Sequence, residues 1–364
     1  MRDPRVAIIS PRDGDILNRH DGAEADGRLT VEVEGIAPPG LEVTVNGRPA
    51  VRAGLEFAAQ VDVTDFETTI QARTEAGADE ITVLYDRDSY RRFRFSVDDN
   101  ILFLRDLTEQ RPESLFDHWF LAFWREMHER YGAKIHINIY HQTEGFTLTE
   151  MPARWRDEWR DNANWLHLSC HGLANEPDWI YRHAPAARVV RDFEWVMNEI
   201  ERFAGSEVMG NTTTVHWAEA TREACIALHR RGITQLVSIP QIWDGEHITS
   251  YYLDRGTVMH MMGRDAWRDT TTGQIFICCD QVVNKYSPKE VVGLLDEAER
   301  NPHRSEMIEL LIHEQYFREE HRVYQPDIRD KVIAALDWVT ERGYEPCFWC
   351  EGFLGNTRGW PIRP

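Results

Sequence analysis

Residues 91–100 read RRFRFSVDDN, a short run in which apolar and polar residues alternate before two consecutive aspartates, Asp98 and Asp99. Alternation of this kind predicts a β-strand. The pattern of the chain changes here, because the residues before it show only strand and turn signals, whereas the residues after it alternate strand and helix signals. The stretch therefore predicts the first strand of a second domain, with a pair of carboxylates at its end.

Downstream of this strand, apolar strand patterns alternate with helical ones. Helices are predicted around residues 116–131, 188–204, 219–231 and 328–342. Strands are predicted around residues 134–140, 165–171, 213–217, 236–239, 275–279 and 307–313. This alternation is typical of parallel strands joined by crossover helices. The number of repeats favours a barrel, so residues 89–364 are predicted to form an α/β barrel.

The N-terminal part of the chain, residues 1–88, contains only strand and turn signals. Short alternating runs recur along it, and one of them ends at Asn46-Gly47, which is a strong hairpin signal. Such spacing predicts an antiparallel β-sandwich. The Val43–Gly47 turn (VTVNG) and the later Gly54–Phe57 (GLEF) resemble bacterial Ig-like modules fused to glycan-active enzymes. That resemblance implies a module that either binds sugar or braces a catalytic domain.

The charge of the chain limits its partners. Its 364 residues include 61 acidic and 41 basic side chains, for a formal net charge of −20. Such a surface repels phosphate backbones, so no nucleic-acid partner is expected. No apolar run approaches the roughly 20 residues that span a bilayer, so no membrane partner is expected either. Residues 1–15 lack the pattern of a signal peptide, which predicts a cytoplasmic location. The acidic surface suits a monomer and a dimer equally.

Polar side chains follow most predicted strands of the second domain. In barrels of this kind the active site lies at the C-terminal ends of the strands, so these side chains are expected to meet in one pocket. Carboxylates and neutral imidazoles are ligands that suit a divalent ion such as zinc. The sequence therefore predicts a metal site among the aspartates and histidines at these strand ends, which are Asp98, Asp99, His141, His167, His171, His216, Asp280 and His313.

Three of these motifs, in their order and spacing, resemble the polysaccharide deacetylase (NodB-homology) superfamily. The strand that ends in Asp98-Asp99 matches the first motif of that superfamily. The run His167–His171 (HLSCH) is similar to the second motif, and Leu311-Ile312-His313 matches the motif on a late strand. The resemblance implies a barrel of the (β/α)7 deacetylase type and a metal-dependent hydrolase that removes N- or O-acetyl groups from a carbohydrate.

The same resemblance implies roles for individual residues. Asp99, His167 and His171 would hold the divalent metal, with zinc the first choice. Asp98 would act as the general base and His313 as the general acid.

The sequence departs from the pattern of the superfamily at three places. Residues 216–222 (HWAEATR) stand where an Arg-x-Pro-Tyr motif is usual, Asn100 replaces a glycine, and an unusual polar and aromatic run follows the late histidine. These departures leave open the sugar, the acyl group and the metal, and whether His167, His216 or His313 completes the metal triad. The candidates for contacts with substrate are His216, Trp217, Glu219, Arg222, Asp280, Glu314 and Tyr316.

Two other functions fit the same residues. A glycoside hydrolase would pair Asp98 with Glu219 or Glu314, since such enzymes use two carboxyl groups and no metal. A non-catalytic carbohydrate-binding protein would keep the pocket and bind sugar without turnover. Sensitivity to a chelator separates the first of these from a metal-dependent deacetylase.

Overall fold

The structure, a computed structural model, describes residues 6–243 and 247–360. The chain forms two compact units. The second unit comprises Arg91–Asp265 and Gln274–Gly355, and the first comprises the residues up to Tyr90 together with Ala266–Gly273 and the segment from Asn356 on. Two segments that the sequence analysis places in the domain of residues 89–364 thus belong to the first unit.

The first unit consists of short strands in two sheets, and all but one of the strand pairs in these sheets are antiparallel. The strands are β1 (Ala7–Ser10), β2 (Ile16–Leu17), β3 (Gly22–Ala25), β4 (Arg28–Ile36), β5 (Thr44–Val45), β6 (Arg48–Pro49), β7 (Val51–Ala53), β8 (Glu56–Val63), β9 (Glu67–Thr74) and β10 (Gly77–Tyr85). One sheet has the order β1-β4-β8-β7, with β3 on β4, and the other has the order β2-β10-β9-β5-β6. Their inward residues share one core, in which Val33, Phe57 and Val83 are buried. The resemblance of this unit to Ig-like modules stays a prediction.

The second unit mixes helices and strands. Its helices are α1 (Leu102–Gln110), α2 (Trp119–Tyr131), α3 (Arg156–Asp161), α4 (Ala186–Phe203), α5 (Arg222–His229), α6 (Arg255–Met261), α7 (Pro288–Arg300) and α8 (Ile328–Glu341). The remaining strands of the chain are β11 (Arg92–Asn100), β12 (Ile135–Tyr140), β13 (Gln142–Thr143), β14 (Phe146–Thr147), β15 (Leu166–Gly172), β16 (Thr212–Thr213), β17 (Gln235–Ser238), β18 (Gln241–Trp243), β19 (His247–Thr249), β20 (Ala266–Arg268, in the first unit), β21 (Ile275–Cys278), β22 (Gln281–Val282), β23 (Met307–His313) and β24 (Glu345–Pro346).

Strand β11 lies at the centre of the larger sheet of this unit. The order is β15-β12-β11-β23-β22, and β11 pairs in parallel with both β12 and β23. Strands β16, β17 and β21 form a second parallel ladder. The unit is therefore a mixed α/β structure with a large parallel sheet. Parallel strand pairing among the described residues of this unit gives two separate sheets and not one closed ring, so the predicted sevenfold barrel stays a prediction.

Local sequence explains where several elements begin and end. Helix α7 starts with Pro288 at its first position, and Ser287 and Glu290 form a capping box with each other's backbone N–H groups. Helix α5 begins at Arg222 and not at Glu219, because the Thr221 side chain accepts a hydrogen bond from Ala224 N and caps it there. The strand predicted over residues 213–217 is only Thr212–Thr213 long. Its continuation is a turn in which Trp217 has a φ of 63°.

None of the helices within the described residues has the length and the apolar character needed to cross a membrane.

Candidate functional site

The two aspartates of β11 point into the same pocket because the strand is distorted between them. Adjacent residues of a regular strand point to opposite faces. Here Asp99 has a φ of 61°, and the register with β12 shifts between Val97 and Asn100. The buried Asn100 side chain holds this distortion by donating from Nδ2 to the carbonyls of Val97 (2.6 Å) and Asn138 (3.0 Å). Both carboxylates consequently line one cavity of about 450 Å³.

Three side chains of this cavity bring donor atoms together as a metal triad would. Asp99 Oδ1 lies 3.0 Å from His171 Nε2, and His171 Nε2 lies 3.3 Å from His216 Nδ1. The third edge, from Asp99 Oδ1 to His216 Nδ1, measures 3.7 Å. The side chains are 12%, 3% and 5% exposed, respectively. Asp99, His171 and His216 are therefore a candidate site for a metal ion.

The far side of each imidazole ring determines which nitrogen can bind a cation. His171 Nδ1 lies 2.5 Å from the carbonyl of Thr214, and His216 Nε2 lies 3.0 Å from the carbonyl of Asn175. Each of these nitrogens donates a proton to its carbonyl, so in the neutral ring the inward nitrogen carries the lone pair. Two imidazole lone pairs and a carboxylate oxygen thus converge on one point. This donor set fits a divalent ion such as zinc.

The charge states of Asp99 and His216 agree with this fit, whereas at His171 the carboxylates Asp98 and Asp99 outweigh burial and raise the pKa. Burial and the adjacent His171 lower the pKa of His216 to about 4, so its ring is neutral near pH 7. Burial opposes the ionisation of Asp99, but His313 and His171 outweigh it and hold the pKa of this carboxyl well below its usual value. Burial raises the pKa of Asp98, although His171 and His313 counteract it. The site thus places the anionic carboxylate of Asp99 beside the more basic carboxylate of Asp98.

Asp98 and His313 lie beside the triad in neighbouring strands. Asp98 faces His313 in the β11–β23 register, and Asn138 Nδ2 donates to Asp98 Oδ1 at 2.6 Å. His313 Nδ1 lies 2.8 Å from Asn284 Oδ1, so its Nδ1–H donates to that oxygen and its Nε2 faces the pocket. This Nε2 lies 4.0 Å from Asp99 Oδ2.

His167 does not join the triad, and the expected ligand pair His167 and His171 is corrected here. Both residues belong to β15, which continues as an extended strand between them. Four residues of strand span about 13 Å, too far for two ligands of one ion. The ring of His167 instead stacks on Phe348, with centroids 3.6 Å apart, and its Nδ1 lies 4.0 Å from Cys350 Sγ. His216 is the third member of the candidate triad.

Two predicted substrate contacts, Asp280 and Glu314, bind other groups of the protein and do not line the cavity. Asp280, with a side chain 1% exposed, binds Arg304 and accepts from Glu309 N at 2.9 Å. Glu314 accepts hydrogen bonds from Ile101 N, Leu102 N and Phe103 N at 2.7 to 3.0 Å. Those three N–H groups are at the start of α1, so Glu314 anchors a helix N-terminus and does not line the pocket.

Replacing Glu314 by glutamine is expected to destabilise the fold by about 1–3 kcal/mol, because an amide cannot accept all three buried N–H bonds without a clash. Urea unfolding followed by circular dichroism measures this loss. Glu129→Gln, at a side chain that is 69% exposed, is a matched control with an expected change within about 0.5 kcal/mol. Equal stability of the two variants would contradict the anchoring role.

The remaining predicted contacts divide between the pocket and its surroundings. Trp217 and Tyr316 line the cavity together with His216. Glu219 is only 3% exposed, lies outside the cavity lining, and has a pKa that burial raises to about 7. Arg222 is exposed as the first residue of α5. Neither Glu219 nor Arg222 is brought to the cavity.

Glu219 predicts a dependence of stability on pH. Its folded pKa of about 7 exceeds the ordinary value of 4.5, so the folded state keeps a proton that the unfolded state loses. Between pH 4.5 and about 7 the wild type loses stability as the pH rises, because Glu219 must give up its proton in the folded state. A Glu219→Gln variant has no such proton and does not show this loss. The free energy of unfolding of the variant, measured relative to that of wild type, is therefore expected to rise by about 1–3 kcal/mol between pH 4.5 and a pH above 7. Urea unfolding at several pH values checks this, and a pH-independent difference would contradict it.

Several residues of the site carried no assigned role in the sequence analysis. Gln315 Nε2 donates to Asp99 Oδ2 at 2.7 Å, and Tyr140 lies against both Asp99 and His216. Asn138, on the same face of β12 as Tyr140, holds Asp98. A usable signal was present, because the apolar run of residues 135–140 (IHINIY) is interrupted by polar residues at every second position.

No protein-family model matches the sequence, and comparison with curated proteins finds no match. Solved structures are similar at low identity. A CE4 esterase from Streptococcus mutans is 8% identical, with 70% of this chain and 84% of that chain covered and a TM-score of 0.39. The carbohydrate deacetylase Agd3 is 7% identical, with 86% and 68% covered and a TM-score of 0.40. A 4-alpha-glucanotransferase from Thermococcus litoralis is 10% identical, with 69% and 38% covered and a TM-score of 0.38. The chemistry of this chain therefore rests on its own side chains.

Proposed function

We propose that this protein is a divalent-metal-dependent hydrolase that removes N- or O-acetyl groups from a carbohydrate. One observation carries the proposal: the donor atoms of Asp99, His171 and His216 converge in a cavity that Asp98 and His313 also line. A metal triad flanked by one candidate base and one candidate acid is an arrangement suited to hydrolysis of an acyl bond.

Asp99 Oδ1, His171 Nε2 and His216 Nδ1 would hold the ion. Zinc bound there would supply Lewis acidity, lowering the pKa of water and polarising an acyl carbonyl. The backbone carbonyls of Thr214 and Asn175 fix the orientation of the two imidazoles, and Gln315 fixes the second oxygen of Asp99. Outer contacts of this type keep ligands in place before the ion binds.

Asp98 is the proposed proton acceptor. Burial raises its pKa, so it is a better base than an ordinary carboxylate, while Asn138 holds Oδ1 at 2.6 Å. Its other oxygen, Oδ2, is the one proposed to take the proton of the attacking water. A base that is both oriented and more basic than usual suits proton removal near neutral pH.

His313 is the proposed proton donor on the opposite side of the reaction. Its Nδ1–H is occupied by Asn284, so any proton that it delivers must leave from Nε2, which faces the cavity. Delivery to the departing amine or alkoxide completes cleavage of the bond between the acyl carbon and nitrogen or oxygen.

Aromatic rings at the cavity support a carbohydrate as the substrate. Trp217 and Tyr316 line it, and the partly exposed Trp179 packs edge-on against Trp217 with centroids 5.5 Å apart. Flat aromatic surfaces can stack on the C–H faces of sugar rings. A glycoside hydrolase mechanism would need a second carboxylate in the cavity beside Asp98. Glu219 and Glu314, the two candidates, both lie outside the cavity lining.

Acetate release from acetylated oligosaccharides tests the proposal. The panel should contain N-acetylated glucosamine oligomers and O-acetylated xylan oligomers, each assayed before chelation, after chelation and after the return of zinc. We expect activity on at least one member that is lost with the chelator and restored by zinc. Turnover that is insensitive to the chelator would contradict the proposal and favour a carboxylate mechanism.

A further inference from the structure

The cavity of the candidate metal triad has exposed charged side chains of both signs. Besides its histidines and the aspartates of β11, the charged residues of its lining are Lys285, Arg322, Glu176 and Asp178, and all four are exposed. Among the residues that the structure describes, Arg322 forms no ion pair, and neither do Glu176 and Asp178. We call Lys285 and Arg322 the basic pair, and Glu176 and Asp178 the acidic pair. Both pairs face the space that a ligand would enter.

The order of the strands separates the two pairs. Strand β11, which carries Asp98 and Asp99, is the middle strand of the parallel sheet β15-β12-β11-β23-β22. The acidic pair follows β15, one edge of this sheet, whereas Lys285 follows β22, the other edge, and Arg322 follows β23 beside it. Parallel strands direct their C-terminal ends to one side, so the segments that follow them lie across the cavity in the order of the strands. The two aspartates thus have the acidic pair on one side and the basic pair on the other.

We propose that the substrate is an acidic glycan, in which the acetylated sugar at the triad is joined to a sugar that carries a carboxylate, such as a uronic acid; this inference deepens the proposed function and rests on it. The basic pair would bind that carboxylate. The planar guanidinium of Arg322 can bind both carboxylate oxygens at once, and the ammonium group of Lys285 adds a second positive charge. Neighbouring strands lie about 4.8 Å apart, so β22 lies roughly 10 Å from β11, a separation that suits the neighbouring sugar and not the acetylated one.

Lys285 is held at the cavity by a second residue of the lining. Its Nζ donates to Gln241 Oε1 at 3.2 Å, and Gln241 lines the same cavity. Lys285 also ends the short helix Val283–Lys285, in which Asn284 Oδ1 accepts the hydrogen bond from His313 Nδ1. One short segment thus orients the proposed proton donor and presents a positive charge. A carboxylate bound there lies on the side of the substrate from which the proton is delivered.

The charge of the whole chain makes a neutral substrate a poorer explanation of the basic pair. The formal net charge is −20, so acidic side chains are abundant, yet none among the described residues forms an ion pair with Arg322. A neutral glycan would gain no charge interaction from either member of the basic pair. The acidic pair repels a carboxylate, so an acidic sugar fits on one side of the acetylated sugar only. The direction in which the glycan binds is thereby fixed.

Calorimetric titration tests the inference on the full-length protein loaded with one equivalent of zinc. The first probe is a tetrasaccharide that alternates N-acetylglucosamine and glucuronate, and the second is the same tetrasaccharide after its carboxylates have been reduced to alcohols. Wild type is compared with Lys285→Gln/Arg322→Gln. The control, Arg125→Gln/Arg130→Gln, removes the same net charge from side chains of α2 that are 45% and 50% exposed and lie outside the cavity lining. All the substituted side chains are exposed, so the variants are expected to fold as wild type does.

We expect wild type and the control to bind the acidic tetrasaccharide about 5- to 20-fold more tightly than the reduced one, because only the acidic form can pair with the basic side chains. Lys285→Gln/Arg322→Gln should bind the two forms with affinities within about a factor of two. Equal affinities in wild type, a preference that persists in Lys285→Gln/Arg322→Gln, or no binding of the acidic form would overturn the inference.

Acetate release from the same two tetrasaccharides separates this inference from the proposed function. Chelator-sensitive release without tighter binding of the acidic form overturns the inference and leaves the proposed function intact. A preference that depends on the basic pair, without acetate release from any acetylated oligosaccharide tested, supports the acidic-glycan site and overturns the proposed reaction.

Discussion

Replacing His216 by alanine is expected to weaken zinc binding by more than about 100-fold, whereas replacing His167 by alanine leaves it within a factor of about three. His216 supplies one of three donors that lie 3.0 to 3.7 Å apart. His167 stacks on Phe348 and lies some 13 Å along the strand from His171. Replacing His216 removes a bond to the metal, whereas replacing His167 removes none.

Competition with a zinc-binding dye measures both affinities on the purified variants. The pair serves as its own control, because each variant removes one imidazole from the same unit. A His167→Ala variant that loses zinc while His216→Ala retains it would contradict the assignment and restore the ligand set that the motif resemblance implies.

Replacing Asp98 by asparagine is expected to lower turnover of an acetylated substrate by roughly 10²- to 10⁴-fold while zinc binding persists. Asparagine keeps the shape of the side chain and an oxygen that can face Asn138, but it cannot accept a proton. The expected signature is a fall in kcat with an unchanged metal content, measured by acetate release and elemental analysis.

Asp157→Asn provides the control, since that side chain is 85% exposed on α3 and does not line the cavity. It should retain wild-type turnover. An Asp98→Asn enzyme as active as this control would remove Asp98 from the role of base, and a loss of zinc from it would make Asp98 a ligand instead.

The central strands could be predicted from the sequence because their patterns are strong. The strand predicted over residues 307–313 is Met307–His313 in the structure, and the strand that ends in Asp98-Asp99 is the middle strand of the larger sheet. Fully buried parallel strands read as apolar runs, and parallel strands direct their C-terminal ends to one edge. That rule placed Asp98, Asp99, His171 and His313 in one pocket.

The sequence could not decide among His167, His216 and His313 for the third candidate ligand, because spacing alone does not show whether a strand continues. The four-residue interval between His167 and His171 suits a shared ion only if the chain turns between them, and β15 does not turn. His216 reaches the site through a turn in which Trp217 adopts a positive φ. Residues other than glycine rarely adopt this conformation, and the local sequence does not predict it.

Carboxylates near strand ends were also ambiguous for a physical reason. A side chain that follows a strand can face the pocket, as Asp98 does, or can turn back to satisfy backbone N–H groups, as Glu314 does at the start of α1. Both positions have the same sequence signature. The assignment of Ala266–Gly273 to the first unit is equally invisible to local patterns, because it depends on contacts between residues distant in the chain.

The most direct test of the account is an anomalous difference map, recorded at the zinc absorption edge on crystals grown with one equivalent of zinc. The account predicts one strong peak bounded by Asp99 Oδ1, His171 Nε2 and His216 Nδ1. No peak at that point, or a peak at His167 and Cys350 instead, would contradict it.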